Sequence, residues 1–234
     1  MSEKSMTTER IKRIERIGRM EPERDLWSAG LRWVCGCDEA GAGPLAGPVY
    51  AAAVILCPPD SDNIPEILSG LDDSKKLSPK RREILYDLII NTAIDYKIAW
   101  VEPEEIDRTD ILSASLKAMC LAMDGLKIRP DMALIDGNRD HGKSCAITEP
   151  HRLIVRGDSI SASIAAASIL AKVARDRYLI DDLDKLYPQY GFARHKGYGT
   201  KYHYDMLNLY GPCPAHRKSF LKKWRARREL IYKI

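Results

Sequence analysis

Two acids, Asp38 and Glu39, stand side by side within CGCDEAGAGPLAGPV, residues 35–49. They follow the apolar approach Trp33-Val34-Cys35 and precede three glycines and two prolines. A third acid, Asp136, ends the apolar run DMALID, and a fourth, Asp158, comes just after HRLIV. If those runs are strands, four carboxylates gather at strand ends, where open α/β sheets build their sites. Carboxylates brought together repel one another unless cations sit between them. Hard divalent cations take such oxygen ligands, and Mg²⁺ needs only one or two carboxylates because it keeps its waters. Two such ions about 3.5–4 Å apart can activate a water and stabilise a leaving oxygen on phosphorus. The chemistry implied is hydrolysis of a phosphodiester. Each acid also has a plainer reading. Asp158 precedes Ser159 at a helix start and could be its N-cap. Asp136-Gly137-Asn138 could be a turn. An acid pair closing an apolar strand has no packing purpose, and the coincidence of all four at strand ends favours a site. Asp176, between Arg175 and Arg177, reads as a surface ion pair and not a ligand.

The elements that must position these acids follow from pattern. Residues 1–30 read as an appendage: Ile11, Ile14 and Ile17 mark one face of a short helix, and Pro22 and Gly30 punctuate its end. Strands are expected at 33–37, in GPVYAAAVIL, in DYKIAWVE, in DMALID and in HRLIV. A helix starts at Ser78, a good N-cap, with Pro79 at N1, where a missing N–H costs nothing. ILSASLKAMCLAMDGL is a second helix. SISASIAAASILAKVARDRYLIDDLDKLY reads as one long helix whose Ala and Ser residues allow close approach to a sheet. Strands interspersed with helices argue an α/β sandwich, one sheet with helices on both faces.

Length and composition set the frame. A chain of 234 residues, 45% hydrophobic and 30% charged, is long enough for one large domain with a small appendage. No apolar run is long enough to span a bilayer, and residues 1–16 show no apolar signal core, so a cytoplasmic protein with no membrane role is expected. The six cysteines are scattered, and reduced thiols are the expectation. Charge is uneven. Residues 190–234 hold 11 Lys and Arg against 2 Asp and Glu, interleaved with nine aromatics, while the whole chain nets only +4. Basic charge with flat rings suits a polyanion carrying bases and sugars. The plainer reading, a solvated helix with rings packed inward, covers part of it: Phe220, Leu221, Trp224 and Leu230 or Ile231 fall at helical spacing.

Two motifs mislead. GNRDHGKS, residues 137–144, matches the phosphate-binding loop pattern and makes a nucleotide triphosphatase the second hypothesis. That mechanism needs a helix opening at the Lys-Ser. Here CAITEPHRLIV follows, with Pro150 six residues on and then a strand. RGD at residues 156–158 matches an adhesion motif in a chain with no evident route outside the cell.

Six blocks, DEAGAGPLAGPV, LDDSKKLSPKRRE, ALIDGN, RGDSISASIAAASILAKVARD, YPQYGFARHKGYGT and GPCPAHRKSF, occur in the order found in ribonuclease HII, the type 2 ribonuclease H. The resemblance covers about residues 33 to 220. It implies an RNase H-like α/β fold, a mixed central sheet flanked by helices with a helical C-terminal extension. The expected division is an appendage at 1–30, a catalytic domain at 31–188 and a basic, aromatic-rich helical region at 189–234. The resemblance implies cleavage of RNA in RNA–DNA hybrids and on the 5′ side of single ribonucleotides in duplex DNA, leaving 3′-hydroxyl and 5′-phosphate ends. It further implies Mg²⁺ or Mn²⁺, two ions during catalysis, and a monomer. Asp38, Glu39, Asp136 and Asp158 match the family's metal-binding catalytic acids. Gly41 and Gly43 match a Gly-Arg-Gly segment whose backbone reads the ribose 2′-hydroxyl, the group that separates RNA from DNA. Tyr198 matches a tyrosine that stacks on a sugar. Ser74, Lys75 and Lys76 match a phosphate-contacting loop. Arg194, Lys196, His216 and Arg217 are further candidates for backbone contacts.

The chain departs from the family twice. Ala42 stands where Arg is usual, which removes any ion pair that side chain makes with substrate and predicts weaker binding or a blurred preference for single ribonucleotides. Arg156 stands where Lys is usual before Gly-Asp, keeping the charge but not the shape. A non-catalytic hybrid-binding protein is the third hypothesis. The full set of acids speaks against it, because a binder has no use for mutually repelling carboxylates opposite a phosphate.

Overall fold

The computed structural model describes residues 20–56, 77–137 and 147–231. Five strands form one sheet: β1 (Val34–Ala40), β2 (Val49–Ile55), β3 (Asp95–Val101), β4 (Met132–Asp136) and β5 (His151–Ile154), in the order β3-β2-β1-β4-β5. β1 runs antiparallel to β2 and parallel to β4, β2 is antiparallel to β3, and β4 is parallel to β5. The sheet is therefore mixed, with β1 at its centre.

Helices cover both faces, so every residue of β2 is buried. Alternation along the strand divides the core. Ala52 and Val54 pack with Leu85 and Ile89 of α2 (Pro79–Thr92) and with the small residues of α6 (Ala162–Tyr178). Ala51, Ala53 and Ile55 face α4 (Ile111–Asp124), which follows the short α3 (Pro103–Arg108), through Ala118, Met119 and Ala122. The Ala and Ser content of α6 does what the sequence implies. Its first turn crosses β1 so closely that a Cβ on Gly36 would stand 2.1 Å from the Ser163 carbonyl carbon. Two N-caps act as expected of their side chains: Ser78 accepts from the Arg81 amide, and Asp110 from that of Ser113.

Three local readings change. Pro22 does not end a helix; it sits in the first turn of α1 (Glu21–Ser28), where proline fits well. The strand holding the acid pair does not stop at Cys37 but carries Asp38 and Glu39 within its ladder, paired with Ala52 and Ala51. The long helix is broken. α5 (Gly157–Ile160) ends at Ser161, whose backbone is extended and whose hydroxyl caps α6 at the Ile164 amide. A π-helical turn, Leu179–Leu183, then follows α6. The break is held from far away: the Glu23 carboxylate of α1 accepts from the hydroxyls of Ser161 and Ser163 and from the Ser163 amide. Burial pushes the Glu23 carboxyl up from its ordinary value against those hydrogen bonds.

After the π-turn the chain makes α7 (Phe192–His195), α8 (Lys201–Tyr210) and α9 (Lys222–Ile231). Tyr190, Phe192, Leu207 and Leu221 form a separate core with Leu45, Ala46, Leu179 and Leu183. Of the basic tail's rings, Tyr190 and Phe192 are thus core residues, while Tyr198, Tyr204 and Tyr210 are exposed. None of the helices among the described residues is long and apolar enough to cross a membrane.

Candidate active site

The parallel pairing of β1 with β4 aligns Cys37 with Ile135, so the next residues on each strand, Asp38 and Asp136, emerge beside each other. Successive residues on a strand point to opposite faces. Asp38 lies toward α6, where it accepts a hydrogen bond from the Ser168 hydroxyl and one of 2.7 Å from the Glu39 amide. Glu39 lies toward α4 and lines a cavity of about 240 Å³ with Asp136, Ala42 and the apolar side chains Ile111, Leu116 and Met119. Asp136 Oδ1 accepts from the Gly157 amide at 2.6 Å, which ties β4 to the turn carrying Asp158. Asp158 is buried in the first turn of α5. It is not an N-cap: that position belongs to Arg156 for α5 and to Ser161 for α6.

The electrostatics of this group are unfavourable as it stands. Burial pushes the Asp38 carboxyl well above the usual range, and the negative charges of Glu39 and Asp136 push it further. A divalent cation would relieve that strain, and every donor offered is a hard carboxylate oxygen. Among the described residues no three His, Cys, Asp or Glu side chains stand together as a ready metal cage. Mg²⁺ takes one or two carboxylates and completes its shell with waters and substrate phosphate. The residues present therefore fit such an ion.

The glycine loop joins β1 to β2 over this site. Gly41 has φ +98°, a conformation that favours glycine. The carbonyls of Gly41 and Ala42 turn inward to the buried Arg217 guanidinium. The Ala42 and Gly43 amides meet no acceptor among the described residues. Tyr198 stands across from Gly43, its ring 4.0 Å from where a Gly43 Cβ would be, and 43% exposed. The Lys172 ammonium lies 5.8 Å from the same ring.

The remaining candidates divide. Arg156 is exposed, with φ +53°. Arg194 is exposed and stacks on Tyr202 at 4.7 Å. Lys196 is half-buried, φ +52°, and turns its ammonium to the Ala193 carbonyl. His216 and Arg217 are not at the surface where backbone contact was expected of them. They are 1% and 0% exposed. His216 Nε2 meets His203 Nε2 at 3.0 Å, and the Arg217 guanidinium is spent on three loop carbonyls. Ser74, Lys75 and Lys76 lie outside the described residues, as do the helix expected around Ile11 and all of GNRDHGKS but Gly137. Asp176 pairs with Lys172 at 2.7 Å rather than with its arginine neighbours.

Sequence reasoning passed over Ser168 and Lys172. Their signal was spacing: Ser168, Lys172 and Asp176 recur every four residues on one face of α6, between the first acid and the exposed tyrosine. It also passed over Arg175, buried among loop carbonyls.

Comparison with known proteins agrees with this geometry. The family model described as ribonuclease HII matches residues 35–223. A ribonuclease HII of Caldicellulosiruptor bescii is 49% identical over 202 residues, covering 86% of this chain and 93% of the relative. One from Idiomarina loihiensis is 52% identical over 187 residues, covering 80% and 94%. The crystal structure of ribonuclease H2 from Pyrococcus horikoshii OT3 superposes with a TM-score of 0.68 at 28% identity, over 83% of this chain and 97% of that one. With the mixed sheet, the neighbouring acids and the matched length all in agreement, the chain belongs to the ribonuclease HII family, type 2 ribonucleases H that act as endonucleases on RNA–DNA hybrids.

Proposed function

We propose that this hydrolase also cuts on the 5′ side of single ribonucleotides embedded in duplex DNA, leaving 3′-hydroxyl and 5′-phosphate ends, as a monomer serving ribonucleotide removal. The observation that carries the reading is the juxtaposition of the acids with an inward-turned loop. The charges of Glu39 and Asp136 bear on the buried Asp38 carboxyl, near amides of Ala42 and Gly43 that have no acceptor within the described residues. Amides free of a partner can donate to a ribose 2′-hydroxyl, and a deoxyribose offers nothing to receive them.

Asp38, Glu39, Asp136 and Asp158 are the residues that would hold Mg²⁺ or Mn²⁺. Such ions would help activate the attacking water and stabilise charge on the leaving oxygen. The protein's own part is positional. Ser168 and the Glu39 amide hold the Asp38 carboxylate in one orientation, and the Gly157 amide does the same for Asp136. Tyr198 presents an exposed ring opposite the loop, suited to lying against a sugar. Arg156 and Arg194 are the exposed cations among the described candidates, fit to meet phosphates, and Ser74, Lys75 and Lys76 join them by resemblance. Lys196, with its ammonium on Ala193, serves through its backbone. His216 and Arg217 act on the loop from inside.

The test is cleavage of a labelled DNA duplex holding one ribonucleotide, against an all-DNA control and a uniform RNA–DNA hybrid, with Mg²⁺, Mn²⁺ or chelator. A nick 5′ of the ribonucleotide, absent with chelator and in Asp136→Asn while that variant still binds, supports the reading. Cutting of the hybrid alone removes the single-ribonucleotide activity and points to Ala42. Cutting of neither substrate leaves a hybrid-binding protein.

A further inference from the structure

Two arginines lie beneath the glycine loop, both 0% exposed, and no carboxylate among the described residues pairs with either. Their partners are backbone carbonyls. Arg175 Nε donates to Pro48 O at 3.0 Å, Nη2 to Ala46 O at 3.2 Å and Nη1 to Lys196 O at 3.2 Å. Arg217 donates to Gly47 O at 2.9 Å, Ala42 O at 3.1 Å and Gly41 O at 2.7 Å. Five of the six carbonyls belong to residues 41–48. The sixth, on Lys196, leads into Gly197 and Tyr198. The two segments also meet directly, the Leu45 amide donating to Gly197 O at 2.8 Å.

Unpaired buried cations are costly and persist only where dipoles surround them. A protein that needed only to fill this space could use apolar side chains. A planar guanidinium has five N–H groups in a fixed fork and can fasten several carbonyls at set angles, which an ammonium cannot. Carbonyls drawn inward leave the Ala42 and Gly43 amides without an internal acceptor. Gly41 shows how tight the fit is: a Cβ there would lie 2.1 Å from Arg175 Nε.

The geometry points to Arg175 and Arg217 as positioning residues for substrate discrimination. We infer that together they fix the spacing between the loop amides and the Tyr198 ring, and so the register in which one ribose is read. The inference rests on the proposed reading of a ribose by this loop. It makes the two guanidinia a ruler for the sugar rather than contacts to phosphate. A uniform hybrid offers a 2′-hydroxyl at every position of the RNA strand, so a loosened ruler still finds one. A single embedded ribonucleotide offers no second chance.

The test compares Arg175→Lys and Arg217→Lys with wild type on the single-ribonucleotide duplex and on the uniform hybrid. Misplacement by about 1 Å costs about a hundredfold. A fall of that order in kcat/KM on the single-ribonucleotide duplex is expected, with under about tenfold on the hybrid. Because neither guanidinium reaches solvent, the salt dependence of KM should not change. Equal losses on both substrates, with the preference unaltered, would overturn the inference, as would a salt slope reduced by about one, the sign of a lost phosphate contact. Wild type failing to nick the single-ribonucleotide duplex would instead refute the underlying reading. Should both variants fail to fold, wild-type protein labelled with ¹⁵N-arginine decides the matter. Metal-free duplex with one ribonucleotide should shift the two buried guanidinium Nε–H signals, and all-DNA duplex should not. Equal shifts with both, or none with either, would refute it.

Discussion

Lowering the pH should destabilise this protein through its buried histidines. His195, His203 and His216 form a buried stack, with His195 and His203 4.2 Å apart and His203 Nε2 3.0 Å from His216 Nε2. The hydrogen bonds assign the protons. His203 Nδ1 faces the Tyr198 carbonyl, so it donates, and its Nε2 must accept from His216. His216 Nδ1 then accepts from the Cys213 amide. All of this requires neutral rings. Burial, with the neighbouring His195, holds His203 and His216 down at about 4, against an ordinary 6.5. A folded-state value below the unfolded one means that the unfolded chain takes up protons first as pH falls. The contribution is complete above 6.5 and is lost between 6.5 and about 4. Each imidazole then costs on the order of 3 kcal/mol, and the steepest slope for the pair is about 2.7 kcal/mol per pH unit. That is a large part of a domain's stability. Urea midpoints between about pH 7 and about pH 4.5 measure it, compared with His203→Asn. Asn keeps a donor near Tyr198 and removes one titrating group. The variant should start less stable and lose about 1.4 kcal/mol per unit less at the steepest point. Parallel pH profiles for variant and wild type would refute the reasoning.

Other perturbations separate the site's parts. Asp38→Asn removes a buried charge that Glu39 and Asp136 oppose, so in chelator it should raise the melting temperature while abolishing cleavage, and added Mg²⁺ should stabilise wild type but not the variant. Gly41→Ala forces a Cβ onto Arg175 at φ +98° and should cost about 3 kcal/mol or more, read in thermal melts, together with most of the activity. Ala42→Arg should tighten binding of hybrid and steepen its salt dependence by about one in log–log slope. An unchanged slope would show that position 42 faces no phosphate.

Much of this was legible in the sequence because the signals were local. The apolar strand ending in Asp136, Ser78 before Pro79, and the Ala-rich helix each state their structure within a few residues. The mixed sheet followed from the family's blocks in order. What could not be read depended on distant partners. The break at Ser161 is held by Glu23, 138 residues earlier, and no pattern within the helix announces it. Arg175 and Arg217 look like surface charges because carbonyl partners leave no trace in side-chain identity. Pro22 misled because a proline ends one helix as readily as it begins another. Asp158 escaped its capping role because the cap fell to Arg156, in a left-handed conformation rare outside glycine.

The clamp on the glycine loop also sets an order of assembly. Arg217 reaches back 170 to 176 residues to Gly47, Ala42 and Gly41. A chain emerging from the ribosome carries all four acids long before that arginine has been made. Until it arrives, the loop has only part of its support, and the ribose-reading surface is unfinished. Contacts of such separation are the slow ones in folding. Discrimination between sugars should therefore be the last property a newborn chain acquires, and the first that a C-terminal truncation takes away.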